Sequence, residues 1–292
     1  MKAVSDNIKG AGLMVAAMTA FTVNDAFLKA ISGDLPLLQI LFVRGMGLVA
    51  CLFVLCAALG QLRFRGSRRD LMLILLRSCA ELAAAILFLS ALFNMPFANV
   101  SAIMQAMPLT VSLAGAFLFG EVLGWRRLLA IAIGFGGVMM IVQPGGAQFS
   151  VYSFAVLGAV ACVTVRDLAA RRLSRDVPSV FVALVAAVFV TAGSGIGSTF
   201  VDWAPITPRS AVFLAASTVA LLGGYVFSVA TMRVGEVSFV APFRYTSLLV
   251  ALVLGYVVFS EAPNSLALGG ATLVVGTGLF TLYREARLRQ AR

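Results

Sequence analysis

Apolar residues run along this chain in blocks of about twenty, separated by short polar connections, and do not alternate with polar ones or recur as a single stripe. Roughly 20 consecutive apolar residues make a helix that crosses a bilayer core about 30 Å thick. Ten blocks can be drawn, at about 10–31, 36–59, 71–93, 96–119, 124–142, 151–173, 178–201, 209–231, 237–258 and 264–283, with ends placed to within a few residues. Lipid offers backbone groups no hydrogen-bond partner, so each block is a helix or part of a closed barrel. The blocks are too long and too evenly apolar for barrel strands. The expected fold class is therefore all-α integral membrane, with ten transmembrane helices.

Composition sharpens this picture. Of 292 residues, 61% are hydrophobic and 12% charged, with a mean hydropathy of +1.02. Soluble domains are nearer half apolar and a quarter charged, so a water-soluble enzyme is excluded, and no polar stretch is long enough for a second, soluble domain. The net charge of +10 would suggest nucleic acid in a soluble protein. Here the positive charges lie between apolar blocks with no interleaved aromatics, so they are topogenic and no nucleic-acid partner is expected. With the N-terminus inside, sixteen fall on the cytoplasmic side (Lys2, Lys9, Arg63, Arg65, Arg68, Arg69, Arg126, Arg127, Arg171, Arg172, Arg175, Arg233, Arg284, Arg287, Arg289 and Arg292) against Lys29 and Arg209 outside. That bias is the positive-inside signature. It predicts a multi-pass protein of a bacterial-type plasma (inner) membrane with both termini cytoplasmic. The first block has no small-residue cleavage site after it and reads as a retained span. Trp125 and Trp203 fall at span ends, as interfacial anchors would.

Residue types also remove whole chemistries. There is no histidine, so the usual zinc sites, Ser-His-Asp catalysis and histidine proton relays are absent. Cys51, Cys56, Cys79 and Cys162 lie inside apolar blocks without metal-ligand spacing and read as buried small apolar residues. No GxxxxGK[ST] loop is present to bind ATP. No cofactor, metal or catalytic residue is expected, and the chain is not expected to be an enzyme.

The sequence repeats itself. Residues 22–36, TVNDAFLKAISGDLP, and 164–178, TVRDLAARRLSRDVP, match at Thr22/Thr164, Val23/Val165, Asp25/Asp167, Ser32/Ser174, Asp34/Asp176 and Pro36/Pro178, 142 residues apart. FLFGE ending at Glu121 and YVVFSE ending at Glu261 correspond at a shift of 140. The chain divides into five-helix repeats at 1–146 and 147–292. Five is odd, so the second enters the membrane inverted, a recurrent transporter plan with its site near mid-membrane between the halves.

The order of these motifs resembles the drug/metabolite transporter superfamily, of the type built from two EamA-like repeats. The resemblance is carried by Asn24–Asp25 and Lys29 late in helix 1, FVRG at 42–45, Arg77 early in helix 3, the stretch from Ala98 through Pro108 to FLFGE at 117–121, and GFGGVMMI at 134–141. The second half keeps Pro242, Glu261 and Gly269 through Gly278, but has Ala186 where Arg44 would map. Within the superfamily the chain is most similar to amino-acid exporters of the YddG kind, which export aromatic and other neutral amino acids. The resemblance implies a ten-helix basket, two inverted five-helix repeats around a central cavity lined by helices 1, 3, 4, 6, 8 and 9, with helices 5 and 10 peripheral.

Ionisable groups at membrane depth are costly and usually face a partner or a cavity. Arg44 lies roughly 12 Å below the outer end of helix 2 and Glu81 roughly 15 Å above the inner end of helix 3, near enough in level for an Arg44–Glu81 ion pair. Arg77 stands one turn before Glu81 on the same face. The cluster either fixes helix packing or meets a substrate's carboxylate and ammonium, or carries a coupling proton. Arg166 and Asp167 lie near the inner end of helix 6, and Arg244 of helix 9 is placed to meet Asp167. Asp25 and Asp167 would then be paired gates; the alternative is local pairs, Asp25–Lys29 and Asp167–Arg171. Ser101, Gln105, Pro108 and Ser112 form one polar stripe on helix 4. Pro108 and, in helix 9, Pro242 should interrupt their helices, although Pro242 maps onto Ala102, out of register.

The expected cavity residues are Asn24, Arg44, Arg77, Glu81, Met104, Gln105, Tyr225, Ser228, Arg244 and Tyr245. Asp25, Asp167, Pro108 and Pro242 are expected to gate or couple. The glycine runs of helices 5 and 10 allow close helix contact, as scaffold or as a dimer face, so homodimer and monomer both stay open. The expected function is export of amino acids or similar small metabolites by alternating access, coupled to protons through Asp25, Glu81 or Asp167, or uncoupled. A transporter of another metabolite or drug is the nearest alternative. An intramembrane enzyme or a channel would need catalytic pairs or a pore lining that the sequence does not offer.

Overall fold

A computed structural model of the chain describes residues 2–62, 66–119, 124–145, 149–174, 176–234 and 237–290. Every regular element among them is helical. They are α1 (Lys2–Ala30), α2 (Leu37–Ala58), α3 (Arg68–Asn94), α4 (Phe97–Met104), α5 (Met107–Phe119), α6 (Trp125–Val142), α7 (Tyr152–Arg171), α8 (Ser179–Ser198), α9 (Pro208–Val234), α10 (Val237–Val240), α11 (Thr246–Phe259) and α12 (Ser265–Gln290), with a 3-10 turn at Ala241–Tyr245. Nine of the described stretches are long and apolar enough to cross a membrane. α6 is the short one, with an apolar run of Leu128–Val142. The chain is a multi-pass membrane protein. α1 begins nearer the N-terminus and α12 ends nearer the C-terminus than the apolar blocks suggest.

Local chemistry sets the ends. Pro36, Pro96 and Pro178 precede α2, α4 and α8 in extended conformation, where a residue without an N–H costs nothing. Ser67 and Asp70 form a reciprocal capping box at the start of α3. α6 and α11 stop at left-handed Gln143 and Ser260.

Two spans are interrupted. The fourth breaks between α4 and α5, just before Pro108, which cannot donate to the carbonyl of Met104. The ninth is split by the 3-10 turn that holds Pro242. Both interruptions agree with the positions of the prolines.

The pairing of spans is orderly. α1 packs on α9 and α3 on α7; α2 packs on α8, and α6 on α12; α1 also meets α11 as α5 and α4 meet α7. Exchanging each span with the one five places later turns α1–α9 into α7–α3 and leaves the α2–α8 and α6–α12 pairs unchanged. Small residues permit the tightest approach: a Cβ on Gly137 of α6 would stand 2.7 Å from the Gly270 carbonyl of α12, and one on Gly270 would collide with the Gly137 carbonyl. The glycine runs of these two helices thus face each other within one chain. Side chains such as Phe53, Phe117, Phe200 and Tyr256 cover the outer surface, where lipid is as apolar as they are. Cys51 and Cys79 are also exposed there, contrary to expectation, while Cys56 is buried.

Because successive spans alternate in direction, the connections fall on two faces. Among the described residues, the near face carries 59–62, 66–67, 172–174 and 176–178. The far face carries 31–36, 95–96, 199–207 and 260–264.

Candidate functional site

A cavity of about 730 Å³ lies between α1, α2, α3, α4, α7, α8 and α9. Its far end is shut by Leu28, Leu41 and Leu89, which are almost wholly buried. Its lining continues to Leu55 and Leu59 of α2, Ser179 of α8 and Val229 of α9 at the near ends of those helices, where the residues are exposed. The cavity therefore opens toward the near face. The second and seventh spans line it, which the resemblance did not imply, and the ninth does not.

The charged and amide groups of the lining are Asn24, Asp25, Arg44, Arg77, Glu81 and Arg166, with the Tyr225 ring beside them, the hydroxyls of Ser179 and Thr191 on α8, and Met104 as the contribution of α4. The rest is mainly leucine, alanine and valine, as in ligand sites that bury an organic body and orient it by a few polar groups. Arg166 donates from Nη1 to Glu81 Oε1 at 3.1 Å and from Nε to Asp167 Oδ1 at 2.9 Å. Arg77 Nη2 stands 3.7 Å from Glu81 Oε2. The expected Arg44–Glu81 pair is thus not the one formed. Glu81 is claimed by α7, against which α3 packs, and Arg44 of α2 instead donates to Asn24 Oδ1 at 3.0 Å.

The repeat-related pairs Asn24–Asp25 and Arg166–Asp167 adopt the same local arrangement. Asn24 Nδ2 donates to Asp25 Oδ1 at 2.8 Å as Arg166 Nε does to Asp167. Thr22 and Thr164, two residues before each, both bond back to the carbonyl four residues earlier, at 2.8 Å. Neither aspartate forms the local pair considered for it. Lys29 turns instead to Glu261 Oε1 at 2.8 Å and to the Met95 carbonyl at 2.5 Å, and Glu261 Oε2 accepts from Phe97 N–H at 2.6 Å. This latch joins α1, the start of α4 and the end of α11 on the far face. Gln39, fully buried, adds a two-way amide clamp to Ala204 on the same face, at 2.8 and 3.0 Å. On the near face Asp70 holds Ser174 through its N–H and hydroxyl, both at 3.0 Å. Glu121, the repeat partner of Glu261, lies outside the described residues.

Of the expected site residues, the structure brings Asn24, Asp25, Arg44, Arg77, Glu81, Met104 and Tyr225 to the cavity. Gln105, Ser228, Arg244, Tyr245, Asp167, Pro108 and Pro242 are not on its wall. Gln105 bridges the two interrupted spans, donating to Ser247 Oγ at 3.0 Å. Tyr245 is buried against Gly278 of α12. Arg244 is exposed; Asp167 is hydrogen-bonded to Arg166 and reaches Arg244 only through its charge. Arg166 was not among the expected cavity residues; its intramembrane charge was the available signal, and what concealed it was the neighbouring Asp167, which suggests a self-contained pair.

Comparison with known proteins bears on this arrangement. Residues 8–143 match the EamA-like transporter family. The chain is 28% identical to the pseudopaline exporter CntI of Pseudomonas aeruginosa over 276 residues, 90% of this chain and 93% of that one. It is 22% identical to the S-adenosylmethionine uptake transporter of Rickettsia prowazekii over 66% of this chain and 65% of that one. It is 23% identical to the riboflavin transporter of Brucella anthropi over 72% and 76%. A crystal structure that aligns with 97% of this chain and 99% of its own, at a TM-score of 0.64 and 18% identity, shares the fold.

Proposed function

We propose that this chain is a membrane transporter of the EamA-like kind, which its residues 8–143 match, and that it exports small metabolites, amino acids foremost, by alternating access. The observation that carries the reading is the cavity: closed toward the far face by Leu28, Leu41 and Leu89, with the Lys29 latch and the Gln39 clamp tying the helices beyond them, open toward the near face, and holding its charged groups deep inside. We read 1–146 and 147–292 as two inverted five-helix halves. The support is the exchange-symmetric pairing of the spans and the duplicated Thr–x–x–Asp hydrogen bonding. Rocking of such halves exposes a fixed site to one side at a time.

The near face is assigned to the cytoplasm of a bacterial-type inner membrane, on the strength of the positive charges gathered in its connections. In that orientation the cavity is poised to load from the cytoplasm, as an exporter must. Aromatic and other neutral amino acids suit an apolar chamber with mixed charges at one end. A second reading is favoured by the identity with the pseudopaline exporter over nine-tenths of the chain: a larger metabolite of that kind in the same cavity. Efflux from proteoliposomes loaded with radiolabelled amino acids decides. Saturable, stereoselective loss above that of empty vesicles is expected, and loss no faster than leak overturns the amino-acid reading.

A further inference from the structure

We propose that Arg44 and Arg77 form a carboxylate-binding subsite at the polar end of the cavity, so that the molecule carried is an organic acid or zwitterion that enters with a carboxylate toward these two guanidinium groups. The proposal rests on the transporter reading and adds to it the chemical class of the cargo.

The argument is one of donors and acceptors. A guanidinium carries five N–H donors and no acceptor, and it stays charged. Three line the cavity, on Arg44, Arg77 and Arg166, with only two carboxylates, on Asp25 and Glu81. Arg166 is served by Glu81 and, from outside the lining, by Asp167. The remaining two are not so served. Arg77 has the far oxygen of the already shared Glu81, at 3.7 Å. Arg44 feels the charge of Asp25 but is hydrogen-bonded only to the neutral amide oxygen of Asn24, whose own donor is spent on Asp25. Arg44 Nε and Arg77 Nη1 are buried and have no hydrogen-bond partner. Both groups lie close enough to Tyr225 to act on it electrostatically, together with Glu81 and Arg166, so they belong to one polar cluster.

Buried charged donors are rarely left unpaired, because the cost of removing them from water is then uncompensated. What is missing is an acceptor within hydrogen-bond reach of Arg44 Nε and Arg77 Nη1, and a carboxylate matches the guanidinium fork with two oxygens. The chamber says the rest. About 730 Å³ walled largely by leucine, alanine and valine is far larger than an inorganic anion needs and suits the apolar body of an organic one. An analogue that lacks the carboxylate leaves the same donors unpaired, and a site built on hydrogen bonds rejects such analogues strongly.

The test uses the full chain in lipid nanodiscs and arginine modification by phenylglyoxal, read residue by residue by mass spectrometry. L-phenylalanine, 3-phenylpropionate, L-phenylalaninamide and inorganic phosphate are the added probes, and exposed Arg209 is the internal control. The two carboxylates are expected to slow modification of Arg44 and Arg77 at least fivefold without altering Arg209, while the amide and phosphate do not. Equal protection by the amide, protection by phosphate alone, or no protection by either carboxylate overturns the proposal. In binding calorimetry, Arg44→Gln and Arg77→Gln are each expected to abolish an acid-over-amide preference of at least tenfold, and Arg44→Lys to retain part of it. Where a variant does not fold, the protection measurement on the unaltered chain stands alone. The two readings fail separately. Carboxylate protection without proteoliposome efflux defeats transport and leaves the subsite standing; efflux of phenylalaninamide as fast as that of phenylalanine does the reverse.

Discussion

Lys29 shows how little a residue's sequence neighbours say about its partner. Asp25 stands one turn earlier, at the spacing of a helical ion pair, yet the ammonium is 2.8 Å from Glu261 and also bonds the Met95 carbonyl, with the Phe259 ring 5.4 Å away. Its side chain is only 9% exposed and that of Glu261 24%, so the latch is a largely buried pair, and removing one partner strands the other. Lys29→Met should lower stability by about 2–4 kcal/mol. Adding Glu261→Gln should recover part of that loss, read as a non-additive double-mutant cycle in denaturant unfolding; strictly additive effects would mean that the two groups do not interact. The same lesson explains the candidate site. Which residues carry charge at membrane depth was legible, since every arginine and acid now on the cavity wall interrupts an apolar block. Their pairing was not. Depth along a helix follows from counting residues, but the direction a side chain faces depends on which helices are neighbours, and α3 against α7 hands Glu81 to Arg166 instead of Arg44.

At the scale of elements, the helices themselves were plain in the sequence because apolar runs of membrane length admit no other structure. So were the two interruptions, because proline removes a backbone donor wherever it stands. Pro108→Ala would return that donor to the carbonyl of Met104 and favour a continuous fourth span. The expected outcome is a more stable protein, by about 1 kcal/mol or more, with efflux slowed several-fold; unchanged efflux would show that the break is incidental to movement. The α6–α12 seam makes the opposite case, where space and not flexibility is at stake. Gly270→Leu would drive a side chain into the Gly137 carbonyl and Ile141. A loss of about 1–3 kcal/mol or more is expected from such overpacking, measured as a lower melting temperature, whereas Gly136, whose Cβ would meet open space, should accept alanine with little change. The breadth of this seam was hidden from the sequence, which showed glycine runs in both helices but not that they meet.

The whole molecule is held at its two faces by different bonds, and the cavity is open toward only one. Single cysteines introduced at Leu59 and Ser179 after the native four are replaced should react with a water-soluble maleimide from the near face, and one at Leu28 should not. Reaction at Leu28 with the substrate present, and protection at Leu59, would register the opposite conformation; reaction at all three in every condition would describe a pore. The membrane-spanning helices were readable from hydropathy. The open side was not, since it depends on which contacts tie the helices together at each face.

Those contacts have a kinetic meaning. On the proposed export cycle, release on the far side requires an ammonium to let go of a carboxylate, a carbonyl and an aromatic face at once, while a glutamine surrenders both of its amide bonds. Such a step carries a large activation enthalpy. On that cycle turnover should quicken steeply on warming while affinity at the loading side drifts only slightly, with the tempo set by Lys29, a residue outside the cavity lining.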